Sequence, residues 1–126
     1  MFAPKSAFSG FSVDDLAKAK AFYGETLGLN VDEGGAGLTL HLPGGGAVFV
    51  YPKDDHQPAT FTILNFEVDD IDNAVDALSE MGVQFERYEG MPADDKGILR
   101  GRSQNQGPDI AWFTDPAGNI LSVLQQ

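Results

Sequence analysis

Glu67 is the residue of this sequence best suited to move a proton. It alternates with Ile63 and Asn65 along the apolar run from Phe61 to Val68, so the three share one face of a strand. If that face lines an apolar pocket, loss of water disfavours the carboxylate, raises its pKa and makes it a base. On an open face the same side chain is a solvated or structurally bonded acid. His41, between Leu40 and Leu42, is a second candidate. It is an acid, base or hydrogen-bond donor if it faces a pocket, and an ordinary polar strand residue if it does not. His56 stands beside Asp54 and Asp55, a trio able to hold an adventitious metal or simply a solvated loop. Lys96, Arg100 and Arg102 gather three of the eight basic residues in one stretch. They suit a ligand's anionic or polar group, or again a solvated loop. Trp112 alternates with Phe113, and of the two it is the ring expected to face a planar ligand. There is no cysteine, hence no thiolate nucleophile, thiolate metal site or disulfide.

The elements that must position these groups occur twice. Phe11-Ser-Val-Asp-Asp-Leu16 runs through a helical period to Gly28-Leu29, and Phe66-Glu-Val-Asp-Asp-Ile71 runs through another to Gly82-Val83. A repeat of this kind marks a duplicated half-domain. In the first copy a strand is expected over 6–13, capped into a helix by Asp14 or Asp15. Leu16, Ala19, Tyr23 and Leu27 mark the helix's buried face, and Gly28 is a left-handed stop. Strands then start at Leu29 and over 38–42 and 47–51, with glycine-rich turns at 34–37 and 43–46. In the second copy the strand spans 61–68, Asp69 or Asp70 caps, and Ile71, Ala74, Val75, Leu78 and Met81 give the clearest helical period of the chain. Strands follow at 83–87, 110–114 and 120–124. The stretch 88–108 has no steady period and reads as a long functional excursion. Asp115-Pro-Ala-Gly118 fits a type I turn. Each half is therefore β-α-β-β-β, with a helix on one sheet face and the other face left to line something.

At 126 residues the chain suits one domain over 1–126, with module one at about 5–52, a linker at about 53–60 and module two at about 61–126. The formal net charge of −11 repels nucleic-acid backbones and anionic membrane surfaces alike. No run approaches the ~20 apolar residues of a membrane span, and the start does not look like a signal peptide. No nucleic-acid or membrane partner is expected, and the expected location is cytoplasmic.

Val13-Asp-Asp-Leu, Phe22-Tyr23, Leu27-Gly-Leu29 and Phe113-Thr-Asp-Pro-Ala-Gly-Asn119 resemble the vicinal oxygen chelate superfamily, which holds glyoxalase I, extradiol dioxygenases, and fosfomycin- and bleomycin-resistance proteins. The resemblance covers essentially the whole chain. It implies an α+β fold of paired βαβββ modules whose curled mixed sheets form a cup. It also implies where metal ligands of the metal-binding members would stand: Phe8 and Ile63 on the first strands, Val50 on the fourth strand with a register open by one residue, and Ser122 on the last. None is a usual ligand for a divalent metal, which wants imidazole nitrogen or carboxylate oxygen. Neither a metal nor another cofactor is therefore expected.

With the metal centre gone, Phe8, Val50 and Ile63 become an apolar pocket floor, and His41, Asn65, Glu67, Arg100, Trp112 and Ser122 its polar or stacking contacts. The expected function is metal-free binding of a hydrophobic or aromatic small molecule, in the manner of antibiotic or toxin sequestration. The alternative is a lyase, isomerase or dioxygenase-like enzyme that uses Glu67 as base or a metal at a non-standard site. A homodimer is expected, because the sheet edges need covering.

Overall fold

The computed structural model describes residues 1–126. Its contacts divide the chain into two compact units, Met1–Pro58 and Ala59–Gln126, with the break inside the expected linker. Both units are built to one plan.

In the first unit β1 (Ser9–Val13) leads into α1 (Leu16–Ala21), then β2 (Asn30–Glu33), β3 (Leu38–His41) and β4 (Ala47–Pro52). Of the two candidate caps, Asp15 takes the role. Its extended backbone turns the chain and its carboxylate accepts the Lys18 N–H at 3.1 Å. After Ala21 the helix widens into a π-type turn over Phe22–Thr26, closed by a bond from Leu27 N–H to the Phe22 carbonyl. Gly28 then adopts φ 71°, the left-handed stop the sequence implied. The sheet runs β1-β4-β3-β2, with β1 parallel to β4 and the remaining pairs antiparallel.

Register decides which face each residue takes. Val50 lies opposite Phe11 and Leu38, and Val48 opposite Leu40. Val13, Leu38, Leu40, Val48 and Val50 are all buried, as are Ala19 and Tyr23 from the helix side. This is the unit's core. Two outcomes differ from expectation. The first strand starts at Ser9 rather than residue 6, so Phe8 is outside it and 70 % exposed. Val50 is fully buried core beneath the helix and forms no part of a pocket floor.

The second unit repeats the order with one short strand, β7, added: β5 (Thr62–Glu67), α2 (Ile71–Glu80), β6 (Phe85–Glu86), β7 (Leu99–Arg100), β8 (Asp109–Thr114) and β9 (Ile120–Gln125). Asp70 caps α2 as Asp15 caps α1, accepting from Asn73 N–H at 3.1 Å. Gly82, at φ 92°, ends it. The sheet runs β5-β9-β8-β6, and β7 also pairs with β8. Ile71 and Val75 are buried, and so are Ala111, Phe113, Leu121 and Val123 on the sheet face that α2 covers. The turn at Asp115 is held from within. The buried Asp115 carboxylate accepts the Ala117 and Asn119 N–H groups at 2.9 Å and the Asn119 side-chain amide at 3.0 Å. No helix is long and apolar enough to cross a membrane.

The stretch 88–108 carries more order than its composition suggested. It contains β7 and a short 3-10 turn over Arg102–Gln104. Gly101 is packed so closely that any Cβ would overlap the Pro108 carbonyl.

Candidate binding faces and the placement of the site residues

Each sheet has one face under its helix and one face without a helix. Side chains alternate between the two, so the residues of the open faces follow from the register. In the first unit they are Gly10 and Ser12 on β1, Thr39 and His41 on β3, and Ala47, Phe49 and Tyr51 on β4. Phe49 and Tyr51 stack with ring centroids 6.1 Å apart and planes 17° from parallel. A pocket of about 530 Å³ lies here, walled by Phe8, Thr39, His41, Ala47 and Phe49. The position assigned to Val50 thus belongs to its neighbour Phe49, one residue away, which is within the register left open by the sequence.

His41 does not stand alone in this pocket. Its Nε2 is 2.7 Å from Asp32 Oδ2 on the adjoining strand. A carboxylate accepts only, so Nε2 carries the hydrogen and Nδ1 is turned to other uses. His56 is not part of a metal trio: its Nδ1 lies 2.7 Å from Ser12 Oγ, and Asp55 pairs with Lys53.

The open face of the second sheet is more polar. Ser122 lies opposite both Asn65 and Trp112. Its buried hydroxyl donates to Asn65 Oδ1 at 2.6 Å. Trp112 Nε1 donates to Thr62 Oγ1 at 3.0 Å, and its ring meets the edge of Tyr88 at 5.7 Å. Burial pushes the Tyr88 phenol up from its ordinary pKa, and the nearby Glu86 charge adds to this. Trp112 is therefore on the helix-free face and Phe113 on the face under the helix. Ile63 is not aligned with it. The register shifts between Thr62, opposite Ile120, and Leu64, opposite Leu121. Ile63 is the extra residue of this bulge, and Thr62 takes its place in the row. Glu67 shares the face, opposite Leu124, but is exposed. Nothing in the unit encloses it in the apolar surroundings that base catalysis was expected to need.

Arg100 is no free anchor for a ligand. It lies opposite Asp109 on the helix side of the second sheet. Its guanidinium grips Asp72 of α2 through two bonds of 3.0 and 2.7 Å and Asp94 through a third of 2.9 Å. The hydrogen bonds from Arg100 hold the Asp72 carboxyl down at a pKa of about 2 and raise that of Arg100 itself. Burial works against the Asp94 charge. The N–H of Ile98, Arg100 and the N–H of Lys96 outweigh it and leave that pKa lowered. Lys96 bridges Asp76 and Asp72, which raises its own pKa, with the Asp76 bond the larger cause. Lys96 and Arg100 thus fasten the 88–108 excursion to α2, while Arg102 lies 3.6 Å from Asp109 of β8. A concavity of about 600 Å³ within the excursion, between Met91, Pro92, Leu99 and Gln104, has Arg100 at its wall but not at its disposal.

The metal expected of a chelating relative does not fit these residues. Ser122 Oγ is spent on Asn65, Val50 is core, and Phe8, Phe49 and Ile63 have no lone pair to give. No group of three or more His, Asp or Glu residues is gathered in a way that could hold an ion. The residues that reasoning from sequence missed are Phe49, Tyr51, Asp32, Thr62 and Tyr88. Asp32 was within reach of it. A turn at 34–37 folds β2 onto β3, which puts Asp32 and His41 on neighbouring strands.

Comparison with known proteins agrees with this architecture. A sequence model of the Glyoxalase/Bleomycin resistance protein/Dioxygenase superfamily matches residues 8–123. The chain is similar to the structure of TnmS3, an antibiotic binding protein from Streptomyces sp. CB03234, at 26 % identity and a TM-score of 0.65, covering 98 % of both chains. FosX, the fosfomycin resistance protein of Listeria monocytogenes, shares 15 % identity at a TM-score of 0.70, over 99 % of this chain and 95 % of that one. A superfamily member from Sphaerobacter thermophilus DSM 20745 shares 24 % at 0.67, over 96 % and 98 %. The last two speak to fold alone. No curated protein matches the sequence.

Proposed function

Because the chain belongs to the Glyoxalase/Bleomycin resistance protein/Dioxygenase superfamily, we propose that it is a metal-free small-molecule-binding protein that holds a largely apolar, aromatic molecule and returns it unchanged. The observation that carries this reading is the first sheet's helix-free face. There Phe8 and Phe49 wall a pocket of about 530 Å³, beside the Phe49–Tyr51 ring pair. Aromatic surface left accessible around a concavity is what a planar ligand buries, at roughly 25 cal/mol for each Å² removed from water. The unsuitability of Phe8, Val50, Ile63 and Ser122 as ligands supports binding over metal-dependent chemistry. The likeness to an antibiotic binding protein supports sequestration of an antibiotic or toxin as the form this binding takes. We take a homodimer to be the acting assembly.

The test is calorimetric titration with a panel of polycyclic aromatic antibiotics, followed by mass spectrometry of the recovered compound. The reading expects a ligand returned at its original mass and binding abolished by Phe49→Asp. A ligand returned as a new compound, at a rate that collapses in Glu67→Gln, would replace it with the enzyme reading.

A further inference from the structure

We propose that the first sheet's pocket selects planar aromatic molecules that bear a hydroxyl, whose proton is accepted by His41 Nδ1 while Asp32 fixes the ring's tautomer. This rests on the small-molecule reading above and names the ligand class for that site.

Register and hydrogen bonding carry the argument together. His41 lies opposite Asn30, and Asp32 opposite Thr39, so the His41–Asp32 pair runs diagonally across β2 and β3 on the helix-free face. The 2.7 Å bond to Asp32 Oδ2 occupies Nε2 as donor. In the neutral ring Nδ1 is then an acceptor, and the carboxylate on Nε2 holds the ring in that tautomer. His41 lines the pocket together with Phe8 and Phe49, and its strand neighbour Ala47 is two residues from Phe49 on the same face. A flat ring system resting on those rings and carrying a hydroxyl towards His41 satisfies both parts of the pocket. The other polar side chains of the lining, Ser6 and Thr39, are hydroxyls that donate as readily as they accept. They do not by themselves prefer a donor.

Charge narrows the class further. A carboxylate or phosphate in this place would approach Asp32 in a protein of formal net charge −11. No lysine or arginine is among the residues that line the pocket to offset it. A neutral phenolic hydroxyl meets no such repulsion.

Two probes separate the hydroxyl from the ring that bears it: 2-naphthol and 2-methoxynaphthalene, the second with its proton replaced by methyl. Fluorescence titration gives the affinities. Proton NMR follows the imidazoles of His41 and His56, the chain's two histidines. The expected result is that 2-naphthol binds roughly five- to tenfold tighter than its ether, about the worth of one hydrogen bond. It should shift the His41 resonances and not those of His56. The preference should vanish in His41→Leu and shrink in Asp32→Ala, whose imidazole is free to change tautomer. Equal binding of the two probes, or a preference that survives in His41→Leu, overturns the hydroxyl inference and leaves the aromatic-binding reading standing. Failure of both probes to bind, with no change at either imidazole, overturns both.

Discussion

Replacing Val50 and Phe49 separately, each with alanine, tests which face of β4 belongs to the core and which to the ligand. Val50 is fully buried between its cross-strand neighbours Phe11 and Leu38. Val50→Ala removes two methyl groups, each worth about 0.8 kcal/mol in transfer from water. Strands on both sides hold the walls apart, so a cavity term adds to this and brings the loss to about 2–3 kcal/mol. For a chain of this size that corresponds to a melting point lower by about 6–12 °C. Phe49 is only half-buried and its ring rests on Tyr51. Phe49→Ala should cost less stability, about 1–2 kcal/mol, and should weaken binding of 2-naphthol at least tenfold. Val50→Ala should leave that affinity within about twofold, since the pocket is on the other side of the sheet. Urea unfolding followed by far-ultraviolet circular dichroism gives the stabilities, and fluorescence titration the affinities. If Val50→Ala stays within about 0.5 kcal/mol of wild type, the range of an ordinary surface change, and abolishes binding, then β4 shows its other face to the ligand and the reasoning fails.

Acid should loosen the excursion through Asp72. Its folded pKa is lowered from 3.8 to about 2, so its contribution is complete above the unfolded value and is lost as pH falls towards 2. The urea midpoint should drop over that window in wild type and change less in Arg100→Gln, which should also expose 88–108 to limited proteolysis at neutral pH. Asp115→Ala leaves two backbone N–H groups and the Asn119 amide without their acceptor in a buried turn, and should cost about 2–4 kcal/mol by urea unfolding. Asp70→Ala, which removes one exposed cap, should cost about 1 kcal/mol. Dialysis against a chelator should leave the affinity for 2-naphthol unchanged, with a loss of binding restored by added zinc or manganese as the contrary result. Sedimentation at micromolar concentration should find a dimer, against a chain mass of 13.5 kDa for a monomer.

The framework was legible in the sequence because it rests on local rules. Asp15 and Asp70 cap, Gly28 and Gly82 stop, and the apolar periods between them place the helices. The site was less legible because it depends on phase and on partners far along the chain. Ala47 to Tyr51 is apolar at both parities, so no polar residue marks which side is wet, and only pairing with Phe11 and Leu38 decides between Phe49 and Val50. At Ile63 a bulge breaks the alternation that the reading depended on. Arg100 finds Asp72 across 28 residues of sequence, a distance over which composition says nothing about pairing. These failures share a cause with the chemistry itself. The two halves share the residues that shape a βαβββ unit and differ on their helix-free faces. Where the second half has Asn65 bonded to Ser122, the first has Gly10, whose missing side chain leaves room beside Phe49 and Tyr51. A repeat reports what both copies must preserve. By the matching strand pairings Phe49 answers to Ser122 and His41 to Thr114, so the twin comparison that revealed the fold was blind to the site.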